Sequence, residues 1–149
     1  MRKAGLWEMK YQNSDAGPGI ITAQNCTDEA TERETNSIFA KRSKEICPKI
    51  DSRKTATPTG YVTDSVCSGA GTTMTWRTEF TGDYNSAYTK KTTAHREGGP
   101  PNVPRDVTNS VEAKRLGPCK ADQKPGDFEM PGGYKFSTEG LKNMGLFPK

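Results

Sequence analysis

Thr73-Met74-Thr75-Trp76-Arg77-Thr78-Glu79-Phe80 is followed, after Thr81-Gly82-Asp83, by Tyr84-Asn85-Ser86-Ala87-Tyr88-Thr89-Lys90-Lys91, and both runs alternate with a period of two. That period sends successive side chains to opposite faces of a strand. Met74, Trp76, Thr78 and Phe80 therefore share one face, while Thr75, Arg77 and Glu79 share the other. In the second run Tyr84, Ser86, Tyr88 and Lys90 alternate with Asn85, Ala87, Thr89 and Lys91. With Gly82-Asp83 as the turn, the pair predicts an antiparallel hairpin that is strongly hydrated on its outer face. Leu6-Trp7-Glu8-Met9-Lys10-Tyr11 repeats the device, with Trp7, Met9 and Tyr11 on one side and Glu8 and Lys10 on the other. Further strands are predicted over Gly19 to Asn25, Tyr61 to Cys67 and Val107 to Leu116. Threonine is the most frequent residue, with 18 copies, and β-branched side chains suit a pleated surface.

One segment departs from the alternation. From Cys26 to Lys44 the order of charge is that of a helix: Asp28, Glu29, Glu32 and Glu34 come first and Lys41, Arg42 and Lys44 last, with Thr27 as the expected N-cap. Its apolar stripe is limited to Ala30, Ile38, Phe39 and Ala40, which predicts a surface helix over a sheet edge or barrel mouth. Gly98-Gly99-Pro100-Pro101 with Pro104 marks a loop. Lys124-Pro125-Gly126-Asp127 and Pro131-Gly132-Gly133 mark a series of turns. Residues 1–136 read as one β domain. Residues 137–149 read as a tail that is either a short helix around Leu141 or disordered.

Leu, Ile, Val and Phe make up only about 13% of the 149 residues, while the net charge is +4; the content is below the ~20% typical of chains with an ample core. Cross-links then matter. Cys26, Cys47, Cys67 and Cys119 contain no closely spaced pair, and the chain has one histidine, so neither a zinc site nor thioredoxin chemistry is indicated and no metal or cofactor is expected. Two structural disulfides in an oxidising compartment are expected instead. Of the three connectivities the four cysteines allow, we expect Cys26 with Cys47, stapling the helical excursion, and Cys67 with Cys119. No run approaches the ~20 apolar residues of a membrane span. Met1-Arg2-Lys3-Ala4-Gly5-Leu6-Trp7 lacks the apolar core of a signal peptide, so Met1 is expected to be an expression start in place of a removed signal.

Gly5-Leu6-Trp7-Glu8, Cys26-Thr27-Asp28-Glu29, Arg115-Leu116-Gly117-Pro118-Cys119 and Lys124-Pro125-Gly126-Asp127 occur in this order. Together they resemble an uncharacterised family of secreted bacterial proteins, domain of unknown function 3617, over about residues 4 to 136. The resemblance implies an exported, periplasmic or secreted protein and no assigned activity. At the level of fold, Gly5-Leu6-Trp7 and Arg115 resemble the closing pair of lipocalin-like barrels, in which a tryptophan of the first strand packs beneath an arginine of the last. That resemblance implies an antiparallel up-and-down barrel or strongly curved sheet, with the surface helix inserted between early strands and a cation-π contact between Arg115 and Trp7. An open, helix-covered sheet or a sandwich is the alternative.

The sequence offers little for catalysis. His95 sits in Thr93-Ala94-His95-Arg96-Glu97, just before the Gly-Pro loop, where a solvated side chain is ordinary, and there is no nucleophile elbow, phosphate loop or zincin motif. Asp64 and Glu79 read as solvated strand residues rather than a glycosidase pair. Lys90, Lys91, Arg96, Lys114 and Arg115 beside Tyr84 and Tyr88 suggest a basic strip. The 22 positive charges are interleaved with 18 negative ones, however, so nucleic acid is not an expected partner. What remains is apolar surface on the strand faces: Trp7, Met9, Tyr11, Met74, Trp76 and Phe80, with Arg115, are the candidate lining of a ligand cavity. The expectation is a non-enzymatic periplasmic protein that holds a small apolar or amphipathic envelope molecule. The alternative is a structural or interaction module with a filled core.

Overall fold

A computed structural model describes residues 1–14, 19–69, 71–102 and 104–143. In chain order these form β1 (Gly5–Asn13), β2 (Ile21–Thr27), α1 (Glu29–Ile46), β3 (Asp51–Thr57), β4 (Gly60–Gly69), β5 (Thr72–Gly82), β6 (Ala87–Glu97), β7 (Asp106–Gly117), β8 (Asp127–Glu129), β9 (Lys135–Ser137) and α2 (Thr138–Asn143). The expected hairpin is β5 with β6, Phe80 facing Lys90 and Trp76 facing Ala94. Its turn is held by Asp83, whose carboxylate accepts from the Asn85 and Ser86 amides at 2.7 and 2.8 Å, an Asx arrangement that substitutes for backbone bonds.

All nine strands lie in one antiparallel sheet of order β3-β4-β5-β6-β7-β1-β2-β8-β9. This corrects the lipocalin-like barrel, because the sheet is open and its edges are β3 and β9. The connection through α1 is the reason. It carries the chain from β2 on one side of the sheet to β3 at the far edge, and the meander β3 to β7 then returns to pair with β1. The outer side of β2 is left for β8 and β9. β3, with the sequence Asp-Ser-Arg-Lys-Thr-Ala-Thr, is exposed along nearly its whole length, and charge of this kind protects an edge from pairing with other chains. Because β3 contains no large apolar residue, the alternation rule gives no signal there. β8 and β9 have three residues each and fall within the stretch read as turns. The helix expected around Leu141 is α2, and residues 144–149 of the expected tail lie outside the described residues.

α1 begins one residue later than the expected N-cap implies. Asp28, not Thr27, is its N-cap: the Asp28 carboxylate accepts from the Thr31 amide at 2.8 Å, which holds its pKa below the usual carboxylate range. Thr27 ends β2, and its hydroxyl donates to Glu32 at 2.9 Å.

The disulfides are Cys26–Cys119 and Cys47–Cys67, with Cα separations of 5.5 and 6.1 Å. The expected pairs, Cys26 with Cys47 and Cys67 with Cys119, are therefore wrong. An 18-residue helix is about 27 Å long at ~1.5 Å per residue, so Cys26 and Cys47 at its two ends cannot meet. The ladders meanwhile set Leu6 opposite both Cys26 and Gly117, which brings Cys119 beside Cys26. Leu6 and Cys26 are buried there, and the turn that follows is tied down by the Gly126 amide donating to the Cys26 carbonyl at 2.8 Å. Gly5 lies in the same layer. Its φ is +139°, and a Cβ would run into the Gly117 carbonyl and the Arg115 guanidinium, so only glycine fits.

Peptide mapping without reductant should recover Cys26–Cys119 and Cys47–Cys67. Their sequence separations are 93 and 20, so removing the first should cost about 4–5 kcal/mol and the second about 3 kcal/mol on the chain-entropy model. A recovered Cys26–Cys47 peptide, or a melting temperature unaffected by reduction, would contradict this arrangement.

Candidate functional site

The position of α1 defines an inner face of the sheet. Its N-terminal turn reaches Thr27 and Asn25 through Glu32, and its C-terminal end is bonded to Cys67. Cys67, opposite Met74, and Asn25, opposite Trp7, point to one side. Along the ladders, Tyr11, Val111, Lys90, Phe80 and Tyr61 form one row on that side. The next row is Asn13, Asn109, Thr92, Thr78 and Thr63.

Trp7 is fully buried and donates through Nε1 to the Lys3 carbonyl at 2.9 Å. The Lys3 amide in turn donates to the Tyr84 carbonyl at 2.7 Å, so the N-terminal segment crosses to the β5–β6 turn. This places the Arg2 guanidinium 5.8 Å from the Trp7 ring centre. Arg2 Nη2 donates to Glu32 Oε1 at 2.5 Å and to Asn25 Oδ1 at 2.8 Å. Burial alone would raise the Glu32 pKa, but hydrogen bonds and charge from Arg2, aided by the Thr27 hydroxyl, hold it below the usual range. The arginine over Trp7 is thus Arg2, which corrects the expected Arg115 contact. Arg115 stands opposite Trp7 in the ladder, but its Nε donates to the Ala4 carbonyl at 2.9 Å.

Beyond Trp7 the inner face is aromatic. The Tyr88 ring lies 5.8 Å from Trp7 and 5.3 Å from Phe80, and Phe80 stacks between Tyr61 at 4.7 Å and Tyr84 at 4.6 Å. The Tyr61 and Tyr84 hydroxyls share a 2.8 Å hydrogen bond, and Lys54 Nζ sits 4.1 Å above the Tyr61 ring. Burial, followed for Tyr84 by the hydrogen bond with Tyr61, pushes the Tyr84 and Tyr88 phenols above their usual range, so both stay neutral at physiological pH. In the polar row, the Asn109 amide oxygen is buried without a hydrogen-bond partner, and such groups favour a donor from elsewhere.

Of the residues expected to line a cavity, Trp7, Met9, Tyr11 and Phe80 cluster. Met9 Sδ accepts from Arg2 and from the Tyr11 hydroxyl. Met74 and Trp76 lie farther along β5, opposite Cys67 and Ser65, and are half-buried. Tyr61, Tyr84, Tyr88, Arg2, Glu32 and Asn109 belong to the same face but are not among those expected. Tyr84 and Tyr88 carry a sequence signal, through their shared phase in the second run of the hairpin. Two open hollows lie elsewhere: one of about 410 Å³ over Glu8, Lys10, Glu112 and Lys114 on the outer face, and one of about 390 Å³ beside Phe128 and Phe136.

His95 lies on the outer face, opposite Asp106. Nε2 is 2.7 Å from Glu97 and Nδ1 2.7 Å from Asp106, and hydrogen bonds to these two carboxylates raise its pKa. The arrangement stabilises an imidazolium at the surface and is separated by the sheet from the inner-face aromatics. Among the described residues no cluster of three or more His, Cys, Asp or Glu could hold a metal ion.

Fold and site together define an open nine-stranded antiparallel sheet crossed by one long helix and cross-linked by two disulfides, a combination suited to an oxidising compartment. The chain belongs to the family described as Protein of unknown function (DUF3617), whose model matches residues 2–119. Comparison with curated proteins and with solved structures gave no match.

Glu32→Ala should destabilise the fold by about 2 kcal/mol, since it leaves the partly buried Arg2 guanidinium without its carboxylate, and combining it with Arg2→Ala should cost less than the sum of the two. Because the Glu32 pKa is lowered on folding, its contribution is present above the unfolded glutamate value and is lost as pH falls through the folded one. Full additivity of the two substitutions would exclude the pairing. For His95, NMR titration should give a midpoint above that of a free histidine, lowered by Glu97→Gln and by Asp106→Asn. This raised pKa adds stability that is complete below the unfolded histidine value and is lost as pH rises through the folded midpoint. An unshifted midpoint would mean that the two carboxylates do not engage the ring in solution.

Proposed function

We propose that the protein binds a small apolar or amphipathic molecule of the cell envelope on the inner face of its sheet, in the periplasm or outside the cell, and performs no catalysis. The observation that carries this reading is the apolar surface left uncovered toward the Cys47–Cys67 end of α1 and of the inner face. Glu32, Thr35, Phe39, Arg42 and Ile46 recur at three- and four-residue spacing along one stripe of α1. Glu32 is 8% exposed at one end, whereas Phe39 is 57% and Ile46 75% exposed toward the other. The same stripe that seals against the sheet near Trp7 thus presents uncovered apolar groups toward the Cys47–Cys67 end, where Met74 and Trp76 are half-buried. Exposed apolar groups of α1 and half-buried ones of β5, with an unpartnered amide oxygen at Asn109, suit a ligand with an oily body and a polar group.

A second reading, an interaction module, is favoured by the β8–β9 edge, where Tyr134 is 68% and Phe136 48% exposed beside an open hollow. Contiguous exposed apolar surface at an edge is a common partner site.

Native mass spectrometry of protein from its host periplasm, before and after denaturation, separates the two. A retained small mass that is lost on denaturation, and weakened by Trp76→Ala, is the expected result. Protein recovered at its two-disulfide mass, but complexed with a second polypeptide that Phe136→Ser releases, would support the edge instead.

A further inference from the structure

We infer that the inner face is built for an anionic amphiphile, a single chain ending in a carboxylate or similar anion. The inference rests on the ligand-binding reading above and adds the sign of the head group. The observation is a separation of charge by strand face. Among the described residues, every carboxylate of the nine strands, from Glu8 in β1 to Glu129 in β8, has the register of the outer face. The inner face carries four cations instead: Lys54 opposite Thr63, Lys90 opposite Phe80, Arg96 opposite Met74 and Arg115 opposite Trp7. A face that served only as core would exclude both signs, because burying either charge is costly. This one excludes anions alone.

Two of the four cations have structural work. Arg115 holds the Ala4 carbonyl, and Arg96 Nη2 holds the Pro100 carbonyl at 2.9 Å. Lys54 and Lys90 flank the aromatic pad, one above the Tyr61 ring and the other beside Phe80 in the ladder, and both ammonium-bearing residues are exposed. The carboxylate that α1 brings to this face, Glu32, is already neutralised by Arg2. A chain laid from the half-buried Tyr61 toward Trp76 therefore meets cations at its head and no competing strand carboxylate.

The test is calorimetric titration of the full-length, oxidised protein at pH 8 with decanoate and with decyltrimethylammonium, both below their micelle concentrations. Contacts between exposed charges are attenuated by solvent, so decanoate should bind about tenfold more tightly than the cationic chain, which the same lysines repel. That preference should fall with added salt and should nearly vanish in Lys54→Gln/Lys90→Gln. The outer-face variant Lys10→Gln/Lys91→Gln makes the same change in net charge and should keep it. Trp76 fluorescence should respond to decanoate, and Trp7, being buried, should not. Equal binding of the two chains with a Trp76 response would overturn the anion assignment and leave the apolar site standing. Failure of both chains to bind would overturn both. Sedimentation with phosphatidylglycerol vesicles, without binding of free decanoate, would assign the lysines to a membrane surface and overturn the proposal.

Discussion

The buried contact among Arg2, Glu32 and Trp7 is the constraint on which the rest of the structure depends. An arginine and a glutamate taken out of water are costly unless each finds several partners. Here Glu32 receives Arg2 and the Thr27 hydroxyl, while Arg2 also reaches Asn25 and lies over Trp7. One contact thereby joins the N-terminal segment, β1, β2 and the first turns of α1, and fixes which face of the sheet the helix covers. The fold has little else to hold α1 there. The helix has one buried residue, and that residue is Glu32, so charge rather than apolar area docks its N-terminal half, and the Cys47–Cys67 bond retains the other end.

Much of the sheet is legible in the sequence wherever large residues alternate with polar ones. The faces of β1, β5 and β6 follow from Trp7, Met9 and Tyr11, from Met74 to Phe80, and from Tyr88. β3 escapes because edge strands satisfy half their backbone groups in water and need no apolar side chains, and β8 and β9 escape because three residues are too few to show a period. The closure of the sheet cannot be read from alternation, which specifies faces and not neighbours. The expected barrel and the expected Cys26–Cys47 bond fail for one reason: each keeps the segments on either side of α1 adjacent, whereas α1 spans the sheet and separates its own ends.

The candidate site is less legible than the fold. Trp7 and Phe80 announce themselves as large apolar residues at strand phase. Arg2 and Glu32 do not, because a charged residue near a chain terminus and another in an acidic first turn each have an ordinary solvent-exposed explanation. Their meaning arises only when β1 and α1 are brought together. The separation of charge between the two faces of the sheet is likewise invisible until each strand's register is known, since acids and bases are interleaved along the chain. Once the faces are assigned, the same interleaving that argues against nucleic acid becomes a sorted pattern, with acids outside and an aromatic surface edged by lysines inside.

A helix docked at one end and tethered at the other should open unevenly, because backbone hydrogen bonds without packed neighbours break locally at little cost. Amide hydrogen exchange along α1 measures this directly. Protection should be high through the turns around Glu32 and Thr35 and should fall sharply from Phe39 to Ile46, while β1, β2 and β7 exchange most slowly of all. Uniform, sheet-like protection from Glu29 to Ile46 would mean that the helix is packed along its whole length, and the open half of the inner face would not exist.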